Sequence, residues 1–198
     1  MKIAYILPSL RNQGPIIVVK SLSDYLIQHG FEVDIFYFDD LQGMSFNCTT
    51  RRILMNEPID FDKYDIIHSH CLRPDKYVVK WKKKIHRSVV ISTLHQDTYC
   101  SFRYQYNFLL SRLFTWYWCR LQSRFDTVIS ISNQLKDIYN NIYQFISKMK
   151  GPIRDVPALS YFPMLKVQPQ SQSTGFGNNH TQFIRCSLLY KPVSHIII

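Results

Sequence analysis

The chain is poor in glutamate: only Glu32 and Glu57 occur in 198 residues, so no paired-glutamate motif can lie in the C-terminal two thirds. Glycine is also sparse. Gly14 is the only glycine before Gly30, so the GxGxxG turn of a nicotinamide or flavin dinucleotide site is impossible there. The five cysteines, Cys48, Cys71, Cys100, Cys119 and Cys186, form no CxxC pair, and their odd number argues against a closed disulfide framework; a reducing, cytoplasmic setting is expected. Long apolar runs are missing as well. The most apolar region, residues 99–119, is interrupted by Arg103 and Arg112, short of the roughly 20 apolar residues a spanning helix needs. The N-terminal apolar run is too short and too soon broken for a signal peptide, so a soluble or peripheral protein is expected. Acids are outnumbered, 14 against 24 Lys and Arg, giving a net charge of +10 and an expected affinity for polyanions.

What is present fits one sizeable α/β domain, with 46% hydrophobic residues. Ile3 to Leu7 is a short apolar run ended by Pro8, the form of a central parallel strand. Ser9 to Gln13 read as a loop, Gly14 as a tight turn, and Pro15 as the first position of a helix that stops at Gly30. Val18, Leu22, Tyr25 and Leu26 are its expected buried face. The loop and helix N-terminus together favour anions. Further strands are expected over 32–38, 64–69, 88–94 and 126–132, with a short one near 52–55; helices are expected over 74–85, 103–125 and 133–150. Asp39 ends the second strand and reads as a ribose-binding acid or, more simply, a solvated carboxylate. Residues 151–198, punctuated by Pro157, Pro163 and Pro169, are expected to be an irregular or disordered tail to a domain of residues 1–150.

Candidate functional residues cluster at strand ends. His68 and His70 share one strand face, but an HxH without a third ligand is a weak metal signal, and no metal is predicted. His95 follows the 88–94 strand on the ligand side of a parallel sheet, with Gln96 and Asp97 beside it; there it could bind or deprotonate a hydroxyl. Lys76, Lys80, Lys83 and Arg87 make a cationic stripe on one helix. Arg112, Trp116 and Arg120 lie four apart on the next, away from a core stripe expected at Tyr106, Leu110, Leu113, Tyr117 and Leu121. Lys76, Lys80, Lys83, Arg112, Trp116 and Arg120 are thus candidates for an anionic membrane surface, the solvated-face reading standing beside it. Basic and aromatic interleaving also suits single-stranded nucleic acid. That mode needs a groove-lining sheet or barrel, and no nucleic-acid partner is expected.

In order, YILPSLRNQGP, the helix ending HGFEV, YDIIHSH, VISTLH and VISISNQLK resemble the N-terminal domain of glycosyltransferase family 4, retaining enzymes of the two-domain GT-B fold. The resemblance covers roughly residues 1–140. It implies a Rossmann-like parallel sheet with helices on both faces, forming the acceptor-binding half of a transferase that moves a sugar from a nucleotide-sugar co-substrate to a hydroxyl. Asn12, Gln13 and Gly14 would face the interdomain cleft; a second family glycine is replaced by Pro15. His95 would be the catalytic-centre residue contacting the transferred sugar, with His70 a substrate-binding residue at the cleft edge; Asp97, beside His95 at the strand end, is a further substrate-binding candidate from its position alone. No other cofactor is implied. The family's Arg/Lys pair and Glu, seven residues, Glu motif belong to a second domain, and the chain lacks that motif.

The expectation is therefore a truncated transferase half, inactive alone, or a half that pairs with a separately encoded donor domain. Its acceptor would be lipid-linked or cell-surface polysaccharide, and its location the cytoplasm, peripheral on the inner face of the cell membrane. The alternative is a non-catalytic α/β module that binds a membrane or a partner.

Overall fold

The computed structural model describes residues 1–150 and 158–161. Its elements are β1 (Lys2–Leu10), α1 (Gly14–Gln28), β2 (Glu32–Gln42), β3 (Thr49–Arg52), β4 (Ile66–His70), α2 (Leu72–Trp81), β5 (Val89–Leu94), α3 (Thr98–Gln105), α4 (Phe108–Gln122), β6 (Thr127–Ser130), α5 (Asn133–Lys150) and β7 (Ala158–Tyr161). The strands form one sheet in the order β3-β2-β1-β4-β5-β6-β7, and every neighbouring pair is parallel. The fold is thus the Rossmann-like α/β arrangement with helices on both faces.

The strand order contains one reversal. From β1 the chain moves outward through β2 to β3, then returns to add β4 to β7 on the other side of β1. Right-handed crossovers running in opposite directions along a sheet place their helices on opposite faces. Accordingly Ile3, Tyr5 and Leu7 of β1 meet Ile16 and Val19 of α1 in one core, while Ala4 and Ile6 point into a second core with Tyr77 and Val78 of α2, Cys119 of α4 and Tyr139 of α5. The alternation along β1 is the period of two that a strand buried on both faces requires.

Several boundaries differ from the sequence reading for identifiable reasons. β1 continues through Pro8 to Leu10, where its ladder with β2 shifts register; its pairing with β4 ends at Ile6, so the missing proline N–H falls beyond that ladder. Gly14 is the first residue of α1, and a Cβ there would meet nothing within 4 Å, so neither a tight turn nor crowding demands glycine. Gly30 does fulfil its expected part: at φ 80° it takes the left-handed conformation that stops the helix, with Phe31 N–H bonded to the Leu26 carbonyl at 3.0 Å. The buried side of α1 carries Ile16, Val19 and Ser23, and Tyr25 faces outward against His29.

The larger correction concerns residues 98–122. A single helix over 103–125 is replaced by two, α3 and α4, because Asn107 caps a new helix by accepting from the Leu110 N–H at 2.9 Å. The expected core stripe is turned outward: Tyr106, Leu110, Leu113 and Tyr117 are exposed, and α4 instead buries Ser111, Thr115, Trp118, Cys119 and Gln122. Past the expected domain limit at residue 150, Ala158–Tyr161 adds β7 to the sheet edge; the rest of the expected irregular tail lies outside the described residues.

Candidate functional site

In an open parallel sheet the crevice forms where the strand order reverses, outside the carboxyl ends of the flanking strands. Here those strands are β1 and β4. The residues that end on this edge are the Arg11–Gln13 loop after β1, Asp39 of β2, His70 of β4 and His95 just beyond β5.

Sheet register assembles a layer of aromatic and imidazole rings beneath the edge. Tyr5 pairs with His68 across β1 and β4, and its ring lies 5.2 Å from that of His68 and 5.8 Å from that of His70. Across β4 and β5, His68 pairs with Ile91 and His70 with Thr93, so each histidine has a diagonal neighbour on its own face two residues further along. His68 Nε2 meets Thr93 Oγ1 at 2.7 Å, and His70 Nδ1 meets His95 Nε2 at 2.7 Å.

Burial makes this layer electrically neutral at pH 7. It draws the His68 imidazole down to about 3 and the His95 imidazole to about 4, and pulls His70 well below the usual histidine range; neighbouring imidazoles add to the effect on His68 and His70. Burial likewise pushes the Tyr5 phenol up. His70 Nε2 is buried without a hydrogen-bond partner among the described residues. An unpaired buried N–H costs more than an unpaired lone pair, so the tautomer assigned to His70 donates through Nδ1 to His95 and leaves Nε2 bare. His95 then carries its proton on Nδ1. Such an imidazole donates a hydrogen bond well and abstracts protons poorly, since its basicity lies far below neutral pH.

The turn that follows His70 is strained. Cys71 has φ 77° and ψ 164°, a conformation sparsely used by any side-chain-bearing residue, and α2 begins at the next residue. Burial raises the Cys71 thiol to about 12, so it is no ready nucleophile. α2 is anchored by Asp75, which is fully buried. Its carboxylate accepts from Ser69 Oγ at 2.6 Å, from Ser92 Oγ at 3.0 Å, from Trp118 Nε1 at 2.7 Å and from Gln122 Nε2 at 3.4 Å. Desolvation outweighs these bonds and raises the Asp75 carboxyl to about 6. One side chain thereby ties α2 to β4, β5 and α4, directly behind the histidine layer. It was invisible in sequence because an acid in the first turn of a helix is ordinary.

The other predicted residues are placed as follows. Asn12, Gln13 and Gly14 are exposed at the β1–α1 junction, where the Gln13 carbonyl accepts from Ile16 and Ile17. Gly43 backs this loop: a Cβ there would lie 2.9 Å from Asn12 N, a close approach that sequence alone does not signal. Asp97 caps α3 by accepting from the Cys100 N–H at 3.1 Å, and burial raises its carboxyl. Asp39 is paired with Arg73 at 2.6 Å, both half-exposed, which matches the solvated-carboxylate reading more closely than a ribose ligand. Lys76 and Lys80 lie exposed on α2, Lys83 in the single 3₁₀ turn after it, and Arg112 and Arg120 on α4; Trp116 is half-buried against the core. No group of three or more His, Cys, Asp or Glu suited to a metal ion occurs among the described residues. No helix among them is long and apolar enough to cross a membrane.

Comparison with known proteins agrees with this architecture. The family model for Glycosyltransferase Family 4 matches residues 41–150. Two curated Escherichia coli proteins named O-antigen biosynthesis glycosyltransferase WclY are each 29% identical over 160 residues, which is 77% of this chain and 44% of theirs. The chain thus spans less than half the length of these relatives. Among solved structures, sucrose-phosphate synthase from Thermosynechococcus elongatus superposes with a TM-score of 0.54 at 15% identity, over 82% of this chain and 47% of that one. An alpha-glucosyltransferase in complex with UDP gives 0.52 at 17% identity, over 82% and 43%. These likenesses are likenesses of fold. The family match, covering more than half of the sequence, adds descent: the chain belongs to glycosyltransferase family 4.

Proposed function

We propose that this chain is the acceptor-binding half of a retaining glycosyltransferase that takes its sugar from a nucleotide-sugar and extends a lipid-linked or cell-surface polysaccharide. The observation that supports this reading best is the hydrogen-bonded His70–His95 pair at the strand ends beside the β1/β4 reversal, with the Asn12–Gly14 loop on the same edge. The relatives' O-antigen role supports the acceptor class.

On this reading His95 acts as a neutral donor. Its Nδ1–H binds a sugar hydroxyl close to the reacting carbon, while His70, locked by burial, fixes the ring's rotation and tautomer. Holding the acceptor oxygen in line lowers the entropic part of the barrier. Charge on the departing diphosphate needs cationic donors. In the family resemblance those come from the second, donor-binding domain, so the 198-residue chain alone turns over little or not at all. The basic residues Lys76, Lys80, Lys83, Arg112 and Arg120, with Trp116, would keep the protein at the anionic inner surface of the cell membrane, where a lipid-linked acceptor resides.

Radiolabelled sugar transfer from a panel of nucleotide-sugars, with membrane extract as acceptor source, tests the reading. The chain alone should give no turnover, and addition of a separately expressed donor-binding half of a family member should restore transfer. Robust turnover by the chain alone would overturn the claim of inactivity. Failure of every donor half and donor sugar to restore transfer would instead favour a non-catalytic module.

A further inference from the structure

The outward side of α3 and α4 is more apolar than a solvated surface has reason to be. Leu109 is 74% exposed, Tyr104 64%, Leu113 56%, Tyr106 43% and Leu110 41%. More than half of the exposed large apolar side chains among the described residues fall between Tyr104 and Tyr117. A contiguous patch of this kind on an otherwise ordinary surface marks an interaction site. The inward side of α4 is already satisfied by the core and by Asp75, so the helix cannot turn over to hide its leucines.

The charge around the patch selects the occupant. Between Asp97 and Asp126 the chain has no acidic residue, and four arginines, Arg103, Arg112, Arg120 and Arg124, fall in that interval. Arg103 and Arg112 flank the Phe108 ring, their guanidinium carbons 5.9 Å and 5.4 Å from its centroid. Lys76 Nζ of α2 lies 5.9 Å from the Tyr117 ring, so the basic stripe on α2 is continuous with the apolar face of α4. A leucine cap bordered by tyrosines, on a segment whose only charged residues are arginines, matches an anionic bilayer in layers: acyl chains for the leucines, the headgroup zone for the tyrosines, phosphates for the arginines.

We propose that the α3–α4 pair is a membrane-inserting element, with Leu109, Leu110 and Leu113 entering the acyl boundary. The proposal rests on the membrane reading given above and replaces its half-buried anchor, Trp116, with a different set of residues. It also orients the site. α3 starts three residues after His95, and its eight residues span only about 12 Å. Insertion therefore holds the His95 loop close to the lipid surface, where the hydroxylated head of an amphiphilic acceptor stands while its tail stays in the bilayer.

Flotation of the full chain with phosphatidylglycerol/phosphatidylcholine vesicles tests this, with hydroxyl-radical footprinting as a second readout. Wild type should bind, with Leu109 and Leu113 reactive in free protein and protected on vesicles. The double variant Leu109→Ser/Leu113→Ser should bind at least tenfold more weakly with no loss of thermal stability, since both positions are exposed. Wild-type binding by that variant overturns the proposal. If Lys76→Gln/Lys80→Gln/Lys83→Gln then abolishes binding, the membrane reading survives and only insertion by α4 falls; if no form of the protein binds vesicles, both fall. Protection of Leu109 without vesicles, or a dimer in light scattering that the double variant dissolves, assigns the face to another part of the chain or to a second copy and overturns the proposal equally.

Discussion

Two helices of equal length, α1 and α4, each 15 residues, solve the same packing problem in opposite ways. α1 turns Ile16 and Val19 into the core and keeps Lys20 and Asp24 outside as an ion pair. α4 turns Ser111, Thr115 and Gln122 inward and leaves Leu109 and Leu113 outside. Helical period defines the stripes of both helices; it does not say which stripe goes in. In α4 the choice is made by a partner on another element. Asp75, desolvated on α2, needs donors, and Trp118 and Gln122 of α4 supply two of them. Tyr143 of α5 donates in turn to Gln122 Oε1 at 2.9 Å, and Ser111 and Thr115 satisfy their hydroxyls on carbonyls one turn back. The polar stripe is buried because it is fully bonded, and the apolar stripe takes what remains.

The strongest way to break this contrast is to remove the carboxylate. Asp75→Ala leaves Ser69, Ser92, Trp118 and Gln122 with buried donors and one partner fewer each, at a cost of about 3–5 kcal/mol. Urea denaturation should show a lower midpoint. Hydrogen exchange should show the loss concentrated in α4 and the β4–α2 turn, with α1 little changed. Uniform weakening across both helices would mean that Asp75 does not set the orientation of α4.

Truncations of comparable side chains should then diverge. Ile16→Ala in α1 opens a cavity in a closed core and should cost about 2–4 kcal/mol. Leu113→Ala in α4 removes a side chain that is 56% exposed and should change stability by no more than about 0.5 kcal/mol. Equal losses in chemical denaturation would show that the outward face of α4 is packed in solution.

The same contrast separates what the sequence conveyed from what it withheld. Apolar strand runs, the Gly30 stop and the Asn133 start of α5 were readable because each is local. The break at Asn107 was masked by an apolar period that continues across it. His70 and His95 could be recognised singly as strand-end histidines, but their 2.7 Å contact depends on the β4/β5 register, which no local signal carries. Asp75 and Gly43 give no local signal for a similar reason: burial of the one and close approach at the other arise only when distant segments meet.

pH should sharpen the account of Asp75. Its folded carboxyl titrates near 6 against 3.8 when unfolded, so the folded state binds more protons between those values. Stability assigned to this group therefore falls as pH rises from about 4 to about 6, by on the order of 3 kcal/mol. The histidine layer works in the other direction. Folded His68 near 3 and His95 near 4 lie below the unfolded 6.5, so their contribution is complete above pH 6.5 and is lost as pH falls toward 4. Comparing wild type with Asp75→Asn cancels the histidines. The wild-type advantage should shrink between pH 4 and 6 in denaturant midpoints, and a flat difference would mean that the carboxyl is not strained by burial.

The smallest effect lies on the outer face of α1. Lys20 Nζ sits 2.6 Å from Asp24 Oδ1, which also accepts from Asn47 Nδ2 at 3.1 Å, and both charged side chains are partly exposed. Such an i, i+4 pair contributes about 0.5 kcal/mol, screened by salt. Asp24→Ala should therefore lower stability by that amount in dilute buffer and by less in 0.5 M salt. The free energy of Leu113→Ala, which touches no ion pair, should not respond to salt at all. A salt-independent loss at Asp24 would place its value in the hydrogen bond to Asn47, and α1 would then be held on its outer face by a neutral contact rather than by charge.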